Sequence, residues 1–488
     1  MARQRILFGE QLGPLFDDDE ESILLVESLA AFRKRPTHRQ KAHLYLSALR
    51  HRAEELGDRA EVVRAGTFRE VLRGRELVAV DPPSYAARRL VREVGAEVLP
   101  SRGFVTSEAD FAGWVRNRDD RGLVMDQFYR WVREREGILM TRAGKPVGGR
   151  FSYDADNRQP PPKRQERLDL PEPWWPQEDA IDEQLRADLD RWERDGTLHL
   201  IGEDGPRRFA VTHREGRSAL RRFVRDRLPT FGPYEDATLS ADWTMSHSLL
   251  SVPMNLGVLD PREVVDAALE AFADGAAPLN SVEGFVRQIV GWRDWMWHLY
   301  WHLGERYVHR NALQARRRVP DSFWELDPDA IEANCLSSVI GDVREHGWAH
   351  HIQRLMMLGN FALERGWSPA ETTEWFTGAF VDGTPWVMPT NVVGMSLHAD
   401  GGVVATKPYA SGGAYIDRMT DYCGGCRFDP KVRVGEDACP FTAGYWAFLE
   451  RHRERFASNP RMAQPLAGLG RLKDLDEVVE QEAHRTRW

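Results

Sequence analysis

The stretch GKPVGGRFSYDADNRQPPPKRQERLDLPEPWWPQ, residues 144–177, divides this chain into two parts with different periodicities. It is dense in Gly, Pro and charge and carries no apolar repeat that could bury a face, so an extended connector is expected over residues 136–180. On its N-terminal side, short apolar runs alternate with helical patterns. RILFGEQL (5–12), SILLVES (22–28), EVVRAG (61–66), LVAVDP (77–82) and AEVLP (96–100) read as strands, and Arg39 to Leu56 reads as a helix. Strands alternating with helices predict a doubly wound parallel-sheet α/β domain, residues 1–135. On its C-terminal side the pattern is helical to the end. In EGFVRQIVGWRDWMWHLYW (283–301), Phe285, Ile289, Trp292, Met296 and Leu299 recur as one buried stripe. Residues 181–488 are therefore expected to form a large all-α domain.

Composition narrows the class. The chain has 488 residues, 42% of them hydrophobic and 29% charged, which is ordinary for a globular protein with more than one domain. MARQRILFGEQL runs straight into a strand without the features of a signal peptide, and no apolar window is long enough to span a bilayer. The expectation is a cytoplasmic monomer with no membrane contact. A net charge of −9 argues against a protein coated in positive charge, though not against a basic cleft. No GxGxxG or GxxxxGK[ST] loop is present, so nucleotide sites of those two kinds are not supported. Seventeen tryptophans imply an aromatic-rich core or an aromatic-lined cofactor site.

The four cysteines carry more. Cys423 and Cys426 stand in DYCGGCRFDP, Cys439 in DACPF, and Cys335 in EANCLSS. A CxxC pair with two outlying cysteines and none left over is the arithmetic of a four-thiolate metal site. Pro440 after Cys439 suits an iron–sulfur ligand run, while a structural zinc takes the same four thiolates.

Three further stretches could carry chemistry. RRFAVTHREGRSALRRFVRDR (207–227) holds eight arginines, with Arg217, Arg221 and Arg225 on one helix face, and a second basic cluster follows in ERYVHRNALQARRRVP (305–320). Concentrated arginine suits phosphates, although a solvated, ion-paired helix face has the same composition. In EHGWAHHIQRLMMLGN (345–360), His346 and His350 are four apart with no HExxH glutamate, and a histidine beside a polar ligand could donate a proton. NVVGMSLHADGGVVATKPYASGGAYIDRM (391–419) is a long Gly- and Ser-rich segment leading into the cysteine pair, of a kind that can wrap a polar cofactor.

In order along the chain, GEQL, PVGGRFSYDADNRQP, MSHSLLS, APLNSVEGFVRQIVGWRDW, AHHIQRLMMLGNFAL, KPYASGGAYIDRMTDYC and ACPF resemble the iron–sulfur bacterial cryptochromes and photolyases, the deoxyribodipyrimidine photolyase-related group that includes prokaryotic (6-4) photolyases. The resemblance covers essentially the whole chain. It implies the photolyase/cryptochrome fold, an α/β antenna domain followed by an all-α FAD-binding domain, with a 4Fe-4S cluster close to the flavin. It implies cluster ligands Cys335, Cys423, Cys426 and Cys439. For FAD it implies Ser246, His247, Ser248 and Leu249, then Glu283, Arg287, Gln288 and Trp292, then Arg354, Asn360, Asp382, Asn391, Asp400 and Gly401. His351, with His350 beside it, matches the histidine that faces the lesion. Trp375 matches the electron-transfer route, and Trp324 is a looser match. A 6,7-dimethyl-8-ribityllumazine antenna is implied at Gly9, Glu10, Gln11 and Glu27.

Departures from the family pattern accompany these matches. Met388, Pro389 and Thr390 precede Asn391 where relatives carry an acidic residue and Leu-Pro, Phe376 replaces a tyrosine, and Thr384 stands where another is expected. The implied activity is light-driven repair of pyrimidine (6-4) pyrimidone photoproducts in UV-damaged DNA. The alternatives are a cryptochrome-type blue-light photoreceptor with the same cofactors, and a zinc-bearing helical nucleic-acid binder without flavin.

Overall fold

In the computed structural model, which describes residues 3–18, 21–118 and 122–488, the N-terminal apolar runs become strands. They are β1 (Gln4–Leu7), β2 (Ser22–Glu27), β3 (Thr37–His38), β4 (Ala60–Arg64), β5 (Leu77–Val80) and β6 (Glu97–Leu99), with β7 (Leu200–Ile201) beyond the connector. Five of them form one sheet in the order β4-β2-β1-β5-β6, and every pairing is parallel. Burial follows position. LVAV of β5 is buried at all four residues, whereas Val62 on edge strand β4 and Val98 on edge strand β6 are exposed. The strand order reverses between β1 and β5, which opens a crevice at their carboxyl ends. Gly9, Glu10 and Gln11 follow β1 into that crevice.

A second, two-stranded sheet was not legible from the sequence. β3 pairs in parallel with β7, Thr37 opposite Leu200 and His38 opposite Ile201. The His38 ring is fully buried, with Nδ1 accepting from the Gln40 amide (3.1 Å) and Nε2 3.1 Å from the Arg344 carbonyl. It is gripped between Gly202 and Gly347, both at positive φ, where an added Cβ would stand 2.1 Å from Nε2 and 3.1 Å from Nδ1 respectively. No other residue fits against the ring at Gly202.

The two parts of the chain interlock. The helix Arg39–Leu56 packs against the helix Ala180–Arg194 through Leu46, Leu185 and Leu189. Phe111, Trp114 and Phe128, all N-terminal to residue 136, surround Trp295 of the helix Asp294–Leu303. A third core joins Leu7, Leu25 and Val80 of the sheet to Val252, Leu256, Trp348 and Val381. Burying rings and branched chains of this size contributes about 1.5–3 kcal/mol each. The connector is extended but anchored: Asn157 is fully buried and exchanges two 3.0 Å hydrogen bonds with Asn280. Among the described residues, no helix is long and apolar enough to cross a membrane.

The helical body contains three segments wound as π-helix: Arg287–Arg293, Gln353–Gly359 and Thr390–Ser396. The apolar stripe of 283–301 anticipates a regular α-helix, which this one is only in part. A π turn inserts one residue and re-aims the side chains around it, and such turns cluster at functional sites.

Candidate active site

All three π segments carry residues implicated by the sequence: Arg287, Gln288 and Trp292 on the first, Arg354 on the second, Asn391 on the third. Arg354 makes a two-pronged ion pair with Asp382, Nη1 to Oδ1 at 2.7 Å and Nη2 to Oδ2 at 3.1 Å. Its guanidinium lies over the Phe380 ring, 4.3 Å from the centroid. Asp382 is fixed in turn by Ser251 Oγ (2.8 Å) and, through its carbonyl, by Asn255 Nδ2 (3.1 Å). A pair held from so many sides presents a charge of fixed position.

The loop Ser246–Leu249 is held under strain. Met245 and Leu249 both adopt left-handed backbone, φ 43° and 57°, a conformation that costs a non-glycine residue on the order of 1 kcal/mol or more. Arg227 secures the loop by donating to the Met245 carbonyl. The strain turns Ser246 inward, where its Oγ is buried without a hydrogen-bond partner among the described residues. His247 Nε2, His350 Nδ1 and Ser411 Oγ are buried without a hydrogen-bond partner in the same way. Orphaned donors and acceptors are costly unless a polar ligand completes them. Asn360 holds the Ser411 backbone by two hydrogen bonds, 2.7 and 3.2 Å.

Three histidines meet beside this loop. His247 and His350 stack with ring centroids 4.6 Å apart, and His351 meets His247 edge-on at 5.5 Å. One ring nitrogen from each lies within 4.8 Å of the others. Burial pushes His247 and His350 well below the ordinary histidine range, so both are neutral. His351 is the exposed member, its Nε2 3.2 Å from Asp236 Oδ1. His350 Nε2 shares a 2.8 Å hydrogen bond with Thr238 Oγ1. His346, the sequence partner of His350, turns away and stacks on Trp243 at 4.2 Å.

The connector supplies residues that sequence reasoning missed. Glu283 is fully buried, accepting from Tyr129 OH (3.0 Å) and the Tyr153 amide (2.8 Å). Arg287 donates to Asp154 at 2.9 Å, and Gln288 donates to Glu235 at 3.3 Å. Glu235 joins this network to the histidines: burial raises its pKa to about 7, against the opposing charges of Arg287 and His351. A Glu-Asp pair after Pro233-Tyr234 gives no sequence signal of this role. Asp400 and Asn391 have local partners. Asp400 accepts from Tyr307 OH and from the amides of Gly402, Val403 and Val404, shaping the turn at Gly401, and Asn391 donates to the Val387 carbonyl.

Cys335, Cys423, Cys426 and Cys439 line one small cavity with Ile416, Tyr422 and Phe428. None is in a disulfide. Cys335 opens the helix Asn334–His346, and Cys439 caps the helix Pro440–Arg451. Gly413 admits Cys439, since a Cβ there would stand 2.8 Å from its sulfur. Burial and the neighbouring thiols raise the Cys335 pKa well above the ordinary range, and burial pushes Cys423 to about 12. Four such thiols are stabilised by a metal centre that takes them as thiolates. Groups tight enough for a single ion, with ligand atoms within 4.8 Å of one another, are the histidine trio and His51 with Asp179 and Asp182 among the described residues. The cysteine quartet is not such a group. Tyr422 ties it to the histidines, accepting from Gln353 Nε2 (3.0 Å), whose Oε1 accepts the His350 amide (3.0 Å).

Trp375 is fully buried, donates to the Phe323 carbonyl at 2.7 Å and touches Phe380 at 5.9 Å, so it adjoins the ring beneath Arg354. Trp324 is half-buried at the edge of a surface groove. In the sheet crevice, Gln11 Nε2 donates to the Val80 carbonyl (3.1 Å) at the end of β5, and Glu10 accepts from Trp386 Nε1 (3.1 Å). Burial raises Glu10 to about 8, with Lys41, the Trp386 bond and Arg293 opposing. Burial, then Arg35, lowers Lys41 to about 7, while Asp382 and Glu10 hold it up. Lys41 thus couples Glu10 in the crevice electrostatically to Asp382 of the Arg354–Asp382 pair. Glu27 is committed to Arg50 (2.9 and 3.0 Å) and Arg64 (3.2 Å). In the arginine-rich segment, Arg207 and Arg227 are buried and bonded internally, Arg222 and the exposed Arg225 pair with Asp226, and Arg214, Arg217 and Arg221 are exposed.

A doubly wound parallel sheet joined to a helical body is the architecture of the photolyase/cryptochrome class. Residues 5–197 match the family described as deoxyribodipyrimidine photo-lyase-related protein. A (6-4) photolyase from Agrobacterium fabrum is 38% identical over 97% of this chain and 96% of its own length. A bacterial class III photolyase from Agrobacterium tumefaciens superposes with a TM-score of 0.59 at 16% identity, covering 99% of this chain and 96% of that one. A Synechocystis cryptochrome superposes equally, TM-score 0.59 at 13% identity, over 99% of both chains. The chain belongs to the deoxyribodipyrimidine photolyase-related family, the family of the bacterial (6-4) photolyase.

Proposed function

We propose that this protein is a light-driven DNA photolyase that repairs pyrimidine (6-4) pyrimidone photoproducts. The observation that carries the reading is the histidine trio. Two neutral, stacked rings form a buried base, and His351 stands exposed above them, braced by Asp236, one turn before Arg354. A near-full-length relative is a (6-4) photolyase.

FAD fits the site, because Ser246 Oγ, His247 Nε2 and Ser411 Oγ are buried polar atoms that a polar ligand would satisfy. When bound, FAD supplies a light-excited electron donor. The residues that hold it are Ser246–Leu249, Glu283, Arg287, Gln288, Trp292, Arg354, Asn360, Asp382 and Asn391, with Asp400 and Gly401 shaping the neighbouring turn. Arg354, locked by Asp382, sets a fixed positive charge where electron density is stored. His351 holds a proton at Nε2 for the lesion, and His350 and Asp236 orient it. The lesion must leave the helical stack to reach this depth, and a damaged, poorly stacked pair costs least to extrude. Arg214, Arg217 and Arg221 provide phosphate contacts. Trp375, with Trp324 nearer the surface, forms the electron route.

The cysteine quartet holds a 4Fe-4S cluster. Four thiolates around one zinc at about 2.3 Å would lie about 3.8 Å apart, so the looser quartet supports the larger centre. The β1/β5 crevice takes the 6,7-dimethyl-8-ribityllumazine antenna at Gly9, Glu10 and Gln11, with Glu27 bracing the rim through Arg50. The boundaries 1–135, 136–180 and 181–488 describe the antenna domain, connector and FAD-binding domain.

The test is to irradiate the reduced, flavin-loaded protein with an oligonucleotide containing one (6-4) photoproduct. Light-dependent return of the two pyrimidines is expected. Unchanged lesion under saturating light, without preferential binding of damaged DNA, would instead mark a photoreceptor.

A further inference from the structure

A second arginine cluster, outside the active site, lines a cavity of about 380 Å³ formed by the loop before Val319, the helix Asn360–Arg365 and the end of the helix Pro440–Arg451. Arg316, Arg317, Arg365 and Arg451 border it, and no Asp or Glu does, in a chain whose net charge is −9. Arg365 is neutralised by Glu482 (2.5 Å). Arg316, Arg317 and Arg451 are exposed at its mouth and pair with no carboxylate among the described residues, whereas the neighbouring Arg318 pairs with Glu371. The Arg451 guanidinium rests over Gly366, where an added Cβ would stand 3.4 Å from Nη1, and donates to the Glu364 carbonyl (3.1 Å). Burial and then the charges of Arg317 and Arg365 lower its pKa. Like charges crowded this way are stabilised by an anion between them.

The rim is built rather than loose. Asn311 brackets Ala315 with two side-chain hydrogen bonds (2.7 and 2.9 Å), and Gln314 takes left-handed backbone at φ 55°. Arg317 is clamped on both sides, its amide donating to the Gly366 carbonyl (3.0 Å) and its carbonyl accepting from Ser368 (2.7 Å). Leu363, Leu397 and Trp367 give the cavity an apolar stretch of wall, and Gln314 and His452 add polar groups to its border. A site with uncommitted guanidiniums at one side and an apolar wall at the other, and with this volume, suits a small phosphate ester.

We propose that this cavity binds a mononucleotide-sized phosphate ester, a nucleoside diphosphate being the best match. Its polyphosphate is held by Arg316, Arg317 and Arg451, and its apolar portion lies against the Leu363–Trp367 wall.

The test is isothermal titration of the flavin-saturated holoprotein with ADP, inorganic pyrophosphate, adenosine and a short single-stranded oligonucleotide at constant ionic strength. Saturable ADP binding is expected, at least tenfold tighter than pyrophosphate, with none for adenosine. The double variant Arg316→Glu/Arg317→Glu alters two exposed side chains and should weaken ADP at least tenfold while leaving the flavin spectrum unchanged. Arg451→Gln gives an independent second reading of the same loss. ADP affinity unchanged in both variants would overturn the proposal, as would no saturable heat at millimolar ADP. Pyrophosphate binding as tightly as ADP, or oligonucleotide binding where ADP does not bind, would also overturn it.

Discussion

His351 differs from its two neighbours by exposure, and exposure decides its chemistry. Burial disfavours charge on His247 and His350, whereas His351 is exposed, with Nε2 3.2 Å from Asp236 Oδ1. Replacing His351 with Ala should lower the (6-4) repair rate by about 10²–10⁴-fold, the usual weight of a general acid. Flavin content, read from the visible spectrum, should be unchanged. His38 allows a stability test with a definite sign. Burial lowers its pKa to about 4, from 6.5 in the unfolded chain, so below pH 6.5 the unfolded state takes up a proton that the folded state refuses. The native contribution of His38 is complete above pH 6.5 and is lost as pH falls toward 4. His38→Gln should therefore be destabilising at pH 8 and less so at pH 5, the difference between the two shrinking by about 2 kcal/mol in denaturant titrations. At this scale the cysteines and the paired histidines His350 and His351 stand out in the sequence because they sit in distinctive local patterns, whereas Arg354 is marked only by the family resemblance. Glu235, Asp236 and Asp154 stayed hidden because their partners come from distant segments and no periodicity marks them.

Among elements, the π-helical segments do what regular helices would not. Gln353–Gly359 and Thr390–Ser396 approach so closely at Gly359 that a Cβ there would stand 2.9 Å from both the Arg354 carbonyl and Ser396 Oγ. Gly359→Ala should cost about 1–3 kcal/mol of overpacking and spread the two segments that carry Arg354 and Asn391. The expected outcome is a lower melting temperature together with a lower flavin-to-protein ratio after purification. Gly202→Ala should be harsher, since the new methyl meets the His38 ring and its backbone is left-handed; a loss of at least about 3 kcal/mol is expected in the same denaturant assay. The alternating strands of residues 4–99 were legible because each is a short apolar run between turn signals. The π turns were not, because inserting one residue leaves the apolar stripe nearly intact. Nor was β3–β7, whose strands are two residues each and owe their pairing to tertiary contacts.

Across the whole molecule, the cysteine quartet and the histidine trio share a frame. Tyr422 adjoins Cys423, and Asn334, adjoining Cys335, donates to the Tyr422 carbonyl at 2.9 Å; through Gln353 the same tyrosine reaches His350. Loss of the proposed 4Fe-4S centre should therefore loosen the active site as well as the C-terminal body. Cys426→Ser, at one of the two half-buried thiols of the quartet, should lower bound iron and inorganic sulfide, depress the melting temperature and weaken flavin retention together. Iron lost with the other two unchanged would sever that coupling.

The β3–β7 clasp has a consequence for the order in which the chain is made. His38 needs Ile201 opposite it and Gly202 against its ring, then Gly347 and the Arg344 carbonyl on its other side. None of these exists when β6, the last strand of the main sheet, leaves the ribosome. The N-terminal segment emerges first yet is sealed only after most of the polypeptide has been synthesised. Contacts of such long sequence separation form slowly. During translation the sheet domain must wait partly open, and its apolar face is then a natural client for chaperones.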